Sequence, residues 1–306
     1  MKLLSKNFNR DVVWSLLGGG IPALAGLIAI PLLVRLLSVD QFALVSLLLS
    51  LNLFFFVYDV GLTRTMHFFA PQKAYLSLNG AASLLTSCLF AGFLIGLVVS
   101  LVIYWASPSL VLSWLNVNSD LMSESILAFQ ITAFGIIPAL LIHVLKGSME
   151  GRQRFRAANF GKIISGVSLF LFPVLTAFYS KSLVMLAEAI LVSRLLSFLV
   201  YLRLALHAVS FKSIKISIDI TSKLIKYTFW AAISGFFSTL FVYGDRFIVA
   251  GYIDASSLAI YITSQDVLIR YLILPWSISV VLVPYFAGHN NGKLFDEFYS
   301  KALKSI

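Results

Sequence analysis

In this chain of 306 residues, 59% are hydrophobic and only 12% are charged, with a mean hydropathy of +0.94. Too few polar side chains exist to cover a water-soluble globule, which excludes a soluble enzyme or binding domain and makes lipid the solvent. The net charge of +10 resides in loops between apolar runs, with no aromatic-interleaved basic stretch, so nucleic acid is excluded as a partner.

The first apolar stretch, Val12–Leu37, follows Lys2, Lys6 and Arg10. It exceeds the roughly 7–15 apolar residues of a secretory signal and contains Pro22 and Pro31, so it reads as an uncleaved first span. A helix needs about 20 mainly apolar residues to cross the hydrocarbon core. On that measure the next spans are Phe42–Tyr58, Gly80–Trp105, Ile126–Leu145, Phe160–Tyr179, Leu183–Leu206, Tyr227–Tyr252 and Leu258–Phe286. The runs are too long and too unalternating for barrel strands, so the fold class is an all-α polytopic transmembrane bundle of about eight spans. The expected organisation is an N-lobe of six spans over residues 1–210, a basic linker over 211–226, and an incomplete two-span C-lobe with a tail over 227–306.

Lys and Arg fix the orientation. With the N-terminus cytoplasmic, eighteen of the 23 fall in inside segments, whereas only Arg35 and Lys181 fall outside. The outer turns carry Asp40, Asp120, Glu124 and Asp254 instead. Both ends are therefore expected in the cytoplasm. The longest outer loop, from about Ala106 to Ser125, leaves no room for an extramembrane catalytic domain.

Cys88 stands alone in an apolar run, which excludes an internal disulfide and a cysteine metal cluster. The histidines His67, His143, His207 and His289 are scattered, and no second ligand shares a helical face with His143. No metal site, cofactor or catalytic constellation is expected. No phosphate-cradling Gly-rich loop occurs either, so nothing points to direct ATP coupling.

Charges inside spans are the remaining candidates, because one at the bilayer centre costs about 2.5–3.5 kcal/mol and usually faces a cavity or a partner. Asp245 and Arg246 are neighbours in the seventh span and point about 100° apart, so each needs its own partner, functional or structural. Asp266 and Arg270, four apart in the eighth, can pair on one face and read first as a self-satisfied packing pair. Glu188 and Arg194, six apart in the sixth, lie on different faces. Arg35 can snorkel to the outer headgroups, while Asp59 and Arg64 near the inner interface read as loop-capping residues. The basic loop from Lys146 to Lys162, with Gly147, Glu150 and Gly151, reads as a topology determinant with capped helix ends; a first-contact site for diphosphate is the alternative.

A shift of 216 residues aligns Trp14 with Trp230, Gly19 with Gly235 and Ala43-Leu44 with Ala259-Ile260, a faint internal repeat of the kind that builds two-lobed transporters. Four segments carry a resemblance to a known family: Pro31–Leu44 (PLLVRLLSVDQFAL), Asp59–Arg64 (DVGLTR), Glu150–Phe155 (EGRQRF) with Asn159, and Tyr243–Phe247 (YGDRF) followed by Ala259-Ile-Tyr261 and Pro284. In order and spacing they resemble polysaccharide flippases, the O-antigen (Wzx-type) translocases of the multidrug/oligosaccharidyl-lipid/polysaccharide (MOP) exporter superfamily.

The resemblance implies two six-helix lobes about a central cavity, and a chain ending after the eighth span departs from it. It implies export of an undecaprenyl-diphosphate-linked oligosaccharide unit across the bacterial inner membrane, with that lipid-linked substrate, membrane lipids and other polysaccharide-assembly membrane proteins as partners. Arginine holds a diphosphate well, since it stays charged and donates in a planar fork. Arg194, Arg246 and Arg270, with Arg35, are therefore expected to line a cationic cavity, with Asp245, Asp266, Asp59 and Glu188 in coupling or packing roles. The alternatives are a small-molecule antiporter of the same superfamily, a membrane enzyme of polysaccharide assembly, and an inactive truncated remnant.

Overall fold

The computed structural model describes residues 2–72, 78–114, 117–206, 226–231, 233–234 and 237. The helices are α1 (Lys2–Leu36), α2 (Val39–Phe69), α3 (Leu78–Ser109), α4 (Ser119–Phe134), α5 (Ile136–Gly151), α6 (Phe155–Tyr179) and α7 (Leu183–Leu206); α3 runs on into a π-helical turn, Leu110–Trp114. Residues 226–231 are also helical, and no strand occurs among the described residues. Five segments within this region are long and apolar enough to cross a membrane: Val13–Leu36, Gly80–Ser113, Ser119–Gly151, Phe155–Tyr179 and Leu183–Leu206. Leu24, Ile28, Val98, Val102, Phe178 and Leu199 present an exposed apolar belt around them, as a lipid-solvated bundle requires.

Six of the eight expected spans fall on these helices, and the two from Tyr227 and Leu258 onward lie almost wholly outside the described residues. The fourth span is two helices. Pro138 has no N–H to donate, and its ring collides with the carbonyl four residues back, that of Phe134, where α4 stops. Gly135 bridges the break with its N–H on the Thr132 and Ala133 carbonyls. The expected outer loop from Ala106 to Ser125 is mostly helix, because α3 and its π turn reach Trp114 and α4 starts at Ser119.

Turn chemistry sets the ends. Ser38 and Gln41 form a reciprocal capping box that starts α2 two residues after α1 stops. Three turns share this end of the bundle. Asn118 donates to Asp40 (2.6 Å), the Gln41 side chain to the Lys181 carbonyl (3.0 Å), and the Leu183 N–H to Glu124 (3.2 Å). At the opposite end Gln153 adopts φ 59° after α5. Its N–H bonds to Glu150 O (2.9 Å) and the Arg154 N–H to Met149 O (2.8 Å), a Schellman closure with a non-glycine residue in the left-handed position.

Two buried half-cores stack along the bundle axis. One, around Met66, Leu85, Leu140, Leu145, Met149 and Tyr201, fills the end near Gln153. The other, around Leu33, Val45, Leu48, Phe129, Leu183 and Leu186, fills the end with the capping box. α1 packs along α6 and barely touches α2 beyond their shared turn, while α2 packs on α5 and α7 holds α4, α5 and α6 together. The α1–α6 seam is tight because Gly18 faces Asn159 and Gly166 faces Pro22, positions at which a Cβ would collide.

Candidate functional site

The structure describes four of the eight singled-out charges. Arg194 lies eleven residues into α7, about 16 Å below the capped end at 1.5 Å per residue, and is half-buried with its Cγ side toward Gly135. The α4–α5 break thus lies beside a cation at mid-depth. Arg35 sits in the last turn of α1, exposed, at the capped end. The two arginines are therefore at different depths. Glu188 is exposed one and a half turns above Arg194 on α7. Asp59 lies within α2, ten residues before its last residue. α2 runs on to Phe69, so Asp59 and Arg64 both stand within the helix. Asp245, Arg246, Asp266 and Arg270 lie outside the described residues.

A second polar centre joins helices that are far apart in sequence. His67 near the end of α2 and Glu150 near the end of α5 are both buried, with Nε2 and Oε2 at 2.8 Å. Lys146 and Lys162 add positive charge around the same carboxylate. Above the pair, Thr63 donates to the His143 carbonyl at 3.3 Å. Small residues on α5 permit this approach. A Cβ on Gly147 would stand 3.1 Å from Thr63 Cα, and one on Gly151 would stand 2.7 Å from the Met66 carbonyl oxygen. Gly147-x-x-x-Gly151 is thus a helix-packing motif on α5, which runs to Gly151 through the first part of the expected loop, and Glu150 is carried into the seam by the same face. That spacing was the one signal in the sequence pointing to this centre.

Beyond Gly151 the chain turns through three arginines. Arg152 buries Nε and Nη2 without a hydrogen-bond partner, and burial together with the neighbouring Arg154 charge holds its pKa below the usual arginine value. Arg154 and Arg156 are exposed, and Arg156 lies over the Trp14 ring at 5.6 Å. With Arg10, Asp11, Phe155, Phe160 and Leu204 they surround a cavity of about 560 Å³ where the start of α6 and the last turn of α7 meet residues 10–14 of α1. Among the described residues no group of three His, Cys, Asp or Glu side chains is placed to hold a metal ion.

Sequence and fold comparisons agree on what such a bundle resembles. A family model described as polysaccharide biosynthesis protein matches residues 8–289. A Shigella flexneri protein designated a candidate O-antigen transporter is 26% identical over 307 aligned residues, covering 97% of this chain and 70% of its own length. A MOP superfamily transporter from Pyrococcus furiosus superposes with a TM-score of 0.73 at 15% identity, over 92% of this chain. A multidrug resistance MATE family transporter in an outward-facing conformation gives 0.74 at 15% identity, again over 92%. The chain spans 65% of the length of each of these two transporters. At such identities the likeness concerns the fold.

Proposed function

The chain belongs to the polysaccharide biosynthesis protein family, and on that premise we propose that it translocates a diphosphate-linked lipid oligosaccharide across the bacterial inner membrane for surface polysaccharide assembly. It is a multi-pass membrane protein with the fold of MOP superfamily transporters. The observation that carries the substrate reading is the 26% identity to the candidate O-antigen transporter over 97% of the chain.

The physical chemistry of the helices supports it. Such a substrate has an anionic head that must leave water and an apolar tail that need not. A cation at mid-depth beside a helix break, as Arg194 is, suits the head. The reading has residues 1–210 act as one lobe and the segment from 227 onward begin a second, with Arg246 and Arg270 facing the same cavity as Arg194 and Arg35 serving its outer rim. Asp245, Asp266, Asp59 and Glu188 then balance these cations or couple their movement. Alternating access would follow from rocking of the lobes. The arginine-rich end faces the cytoplasm, as the distribution of Lys and Arg requires.

The test is surface polysaccharide display in a bacterial strain lacking its own O-antigen translocase and supplied with the full chain. Arg194→Ala is expected to lower display at least tenfold and Arg194→Lys to retain an intermediate level. Wild-type display from a well-inserted Arg194→Ala protein would count against the cationic-cavity reading.

A further inference from the structure

The cavity between residues 10–14 of α1, the start of α6 and the last turn of α7 lies away from the mid-depth arginine and has no part in the translocation scheme above. We infer that it is a binding site for the phosphodiester headgroup of an anionic membrane phospholipid. Arg10, Arg154 and Arg156 line it with Asp11 as the one acid, and Gln153 adds an amide side chain. Arg152, in the same turn, adds a fourth guanidinium to the local positive potential.

Depth fits the assignment. The apolar spans of α1 and α6 begin at Val13 and Phe155, so the lining residues 10–14 and 153–157 straddle the boundary where headgroups lie. Trp14 is one of them, and tryptophan is enriched at that level because its ring is apolar and its N–H polar. Basic pockets between transmembrane helices on the cytoplasmic side are a known mode of anionic headgroup recognition.

The walls are amphipathic in the matching direction. Phe155, Phe160 and Leu204 in the lining, with Val13 and Leu17 exposed on the same stretch of α1, offer acyl chains an apolar wall. A small soluble anion would use the arginines and leave that wall bare; a phospholipid uses both.

Geometry also explains why the turn is built as it is. The left-handed Gln153 reverses the chain so that Arg154 and Arg156 flank the start of α6, and the Arg156–Trp14 contact ties that rim to α1. The site therefore exists only when α1 is docked on α6, and its occupant would brace that seam.

The experiment is native mass spectrometry of the full chain released from nanodiscs containing equal amounts of phosphatidylglycerol and phosphatidylcholine. Retained phosphatidylglycerol should exceed phosphatidylcholine several-fold. Arg10→Gln combined with Arg154→Gln, both at exposed positions, should reduce that excess to near parity, while Lys181→Gln at the opposite end should leave it intact. Parity already in the wild type, or an undiminished excess in the double variant, would overturn the inference. In a parallel arm undecaprenyl diphosphate is added. Its retention through the same two arginines, with phosphatidylglycerol not retained, would assign the cavity to the lipid diphosphate and likewise overturn the proposal. Arg10→Lys with Arg154→Lys, which keeps the charge, should retain most of the excess and so separates loss of binding from loss of fold.

Discussion

His67 and Glu150 meet at 2.8 Å across the α2–α5 seam, a hydrogen-bonded pair of residues 83 positions apart, with side chains only 7% and 3% exposed. A buried pair of this kind costs desolvation on both partners, so removing one of them is worse than never having built it. Glu150 is also the only carboxylate facing Lys146 and Lys162 that the described contacts identify. Glu150→Ala should therefore lower stability by about 3 kcal/mol, and His67→Ala by less, because the two lysines still compensate the carboxylate. Thermal unfolding of the purified protein in detergent measures the order. Equal losses would place the lysines outside the pair's field.

Close approach of α5 to α2 predicts a contrast between glycines. A methyl at Gly151 would press on the Met66 carbonyl and on Ala70, and backbone cannot swing aside. Gly151→Ala should cost about 1–3 kcal/mol. Gly20 on α1 has nothing within 4 Å of its would-be Cβ, so Gly20→Ala should be neutral or slightly stabilising. Melting temperatures of the two variants should move in different directions or differ clearly in size.

Gln153 occupies the position where a Schellman closure normally has glycine. Gln153→Gly removes a left-handed side-chain penalty of about 1–2 kcal/mol and adds back some unfolded-state entropy. A net gain of about 0.5–1 kcal/mol is expected by the same unfolding measurement. A loss would mean that the Gln153 side chain holds the turn through contacts of its own.

Sidedness gives a prediction independent of stability. The single native cysteine, Cys88, is buried in the half-core near His67 and Glu150. In a Cys88→Ala background, Ser38→Cys should react with a membrane-impermeant thiol reagent added to intact cells, and Gln153→Cys should react only after the membrane is permeabilised. The reverse pattern would invert the orientation.

Hydropathy made most of the bundle legible, and the reasons for its failures are local. α7 starts at Leu183, as the apolar run suggests, because Ser180, Lys181 and Ser182 end the apolar stretch before it. The second apolar span reads Phe42–Tyr58, with Asp59 and Arg64 near the inner interface. α2 continues to Phe69 because that segment packs on α5 and His67 finds an acid there. A hydropathy window weighs each residue as if it stood alone, whereas a charge inside a bundle is decided by its partner. The same limit hid the His67–Glu150 centre. Pro138 alone does not announce a break, since α1 and α6 run through Pro22, Pro31 and Pro173, and the helix end at Phe134 beside Arg194 required knowing that α7 lies there.

Under the proposed function the chain moves a lipid-linked oligosaccharide head between leaflets. The most direct measurement uses proteoliposomes holding the full chain and an undecaprenyl-diphosphate-linked oligosaccharide, with a lectin added outside to count the exposed heads over time. The outer-leaflet fraction should re-equilibrate after outer heads are enzymatically removed, and Arg194→Ala should slow this at least tenfold. Re-equilibration no faster than in protein-free liposomes would contradict it.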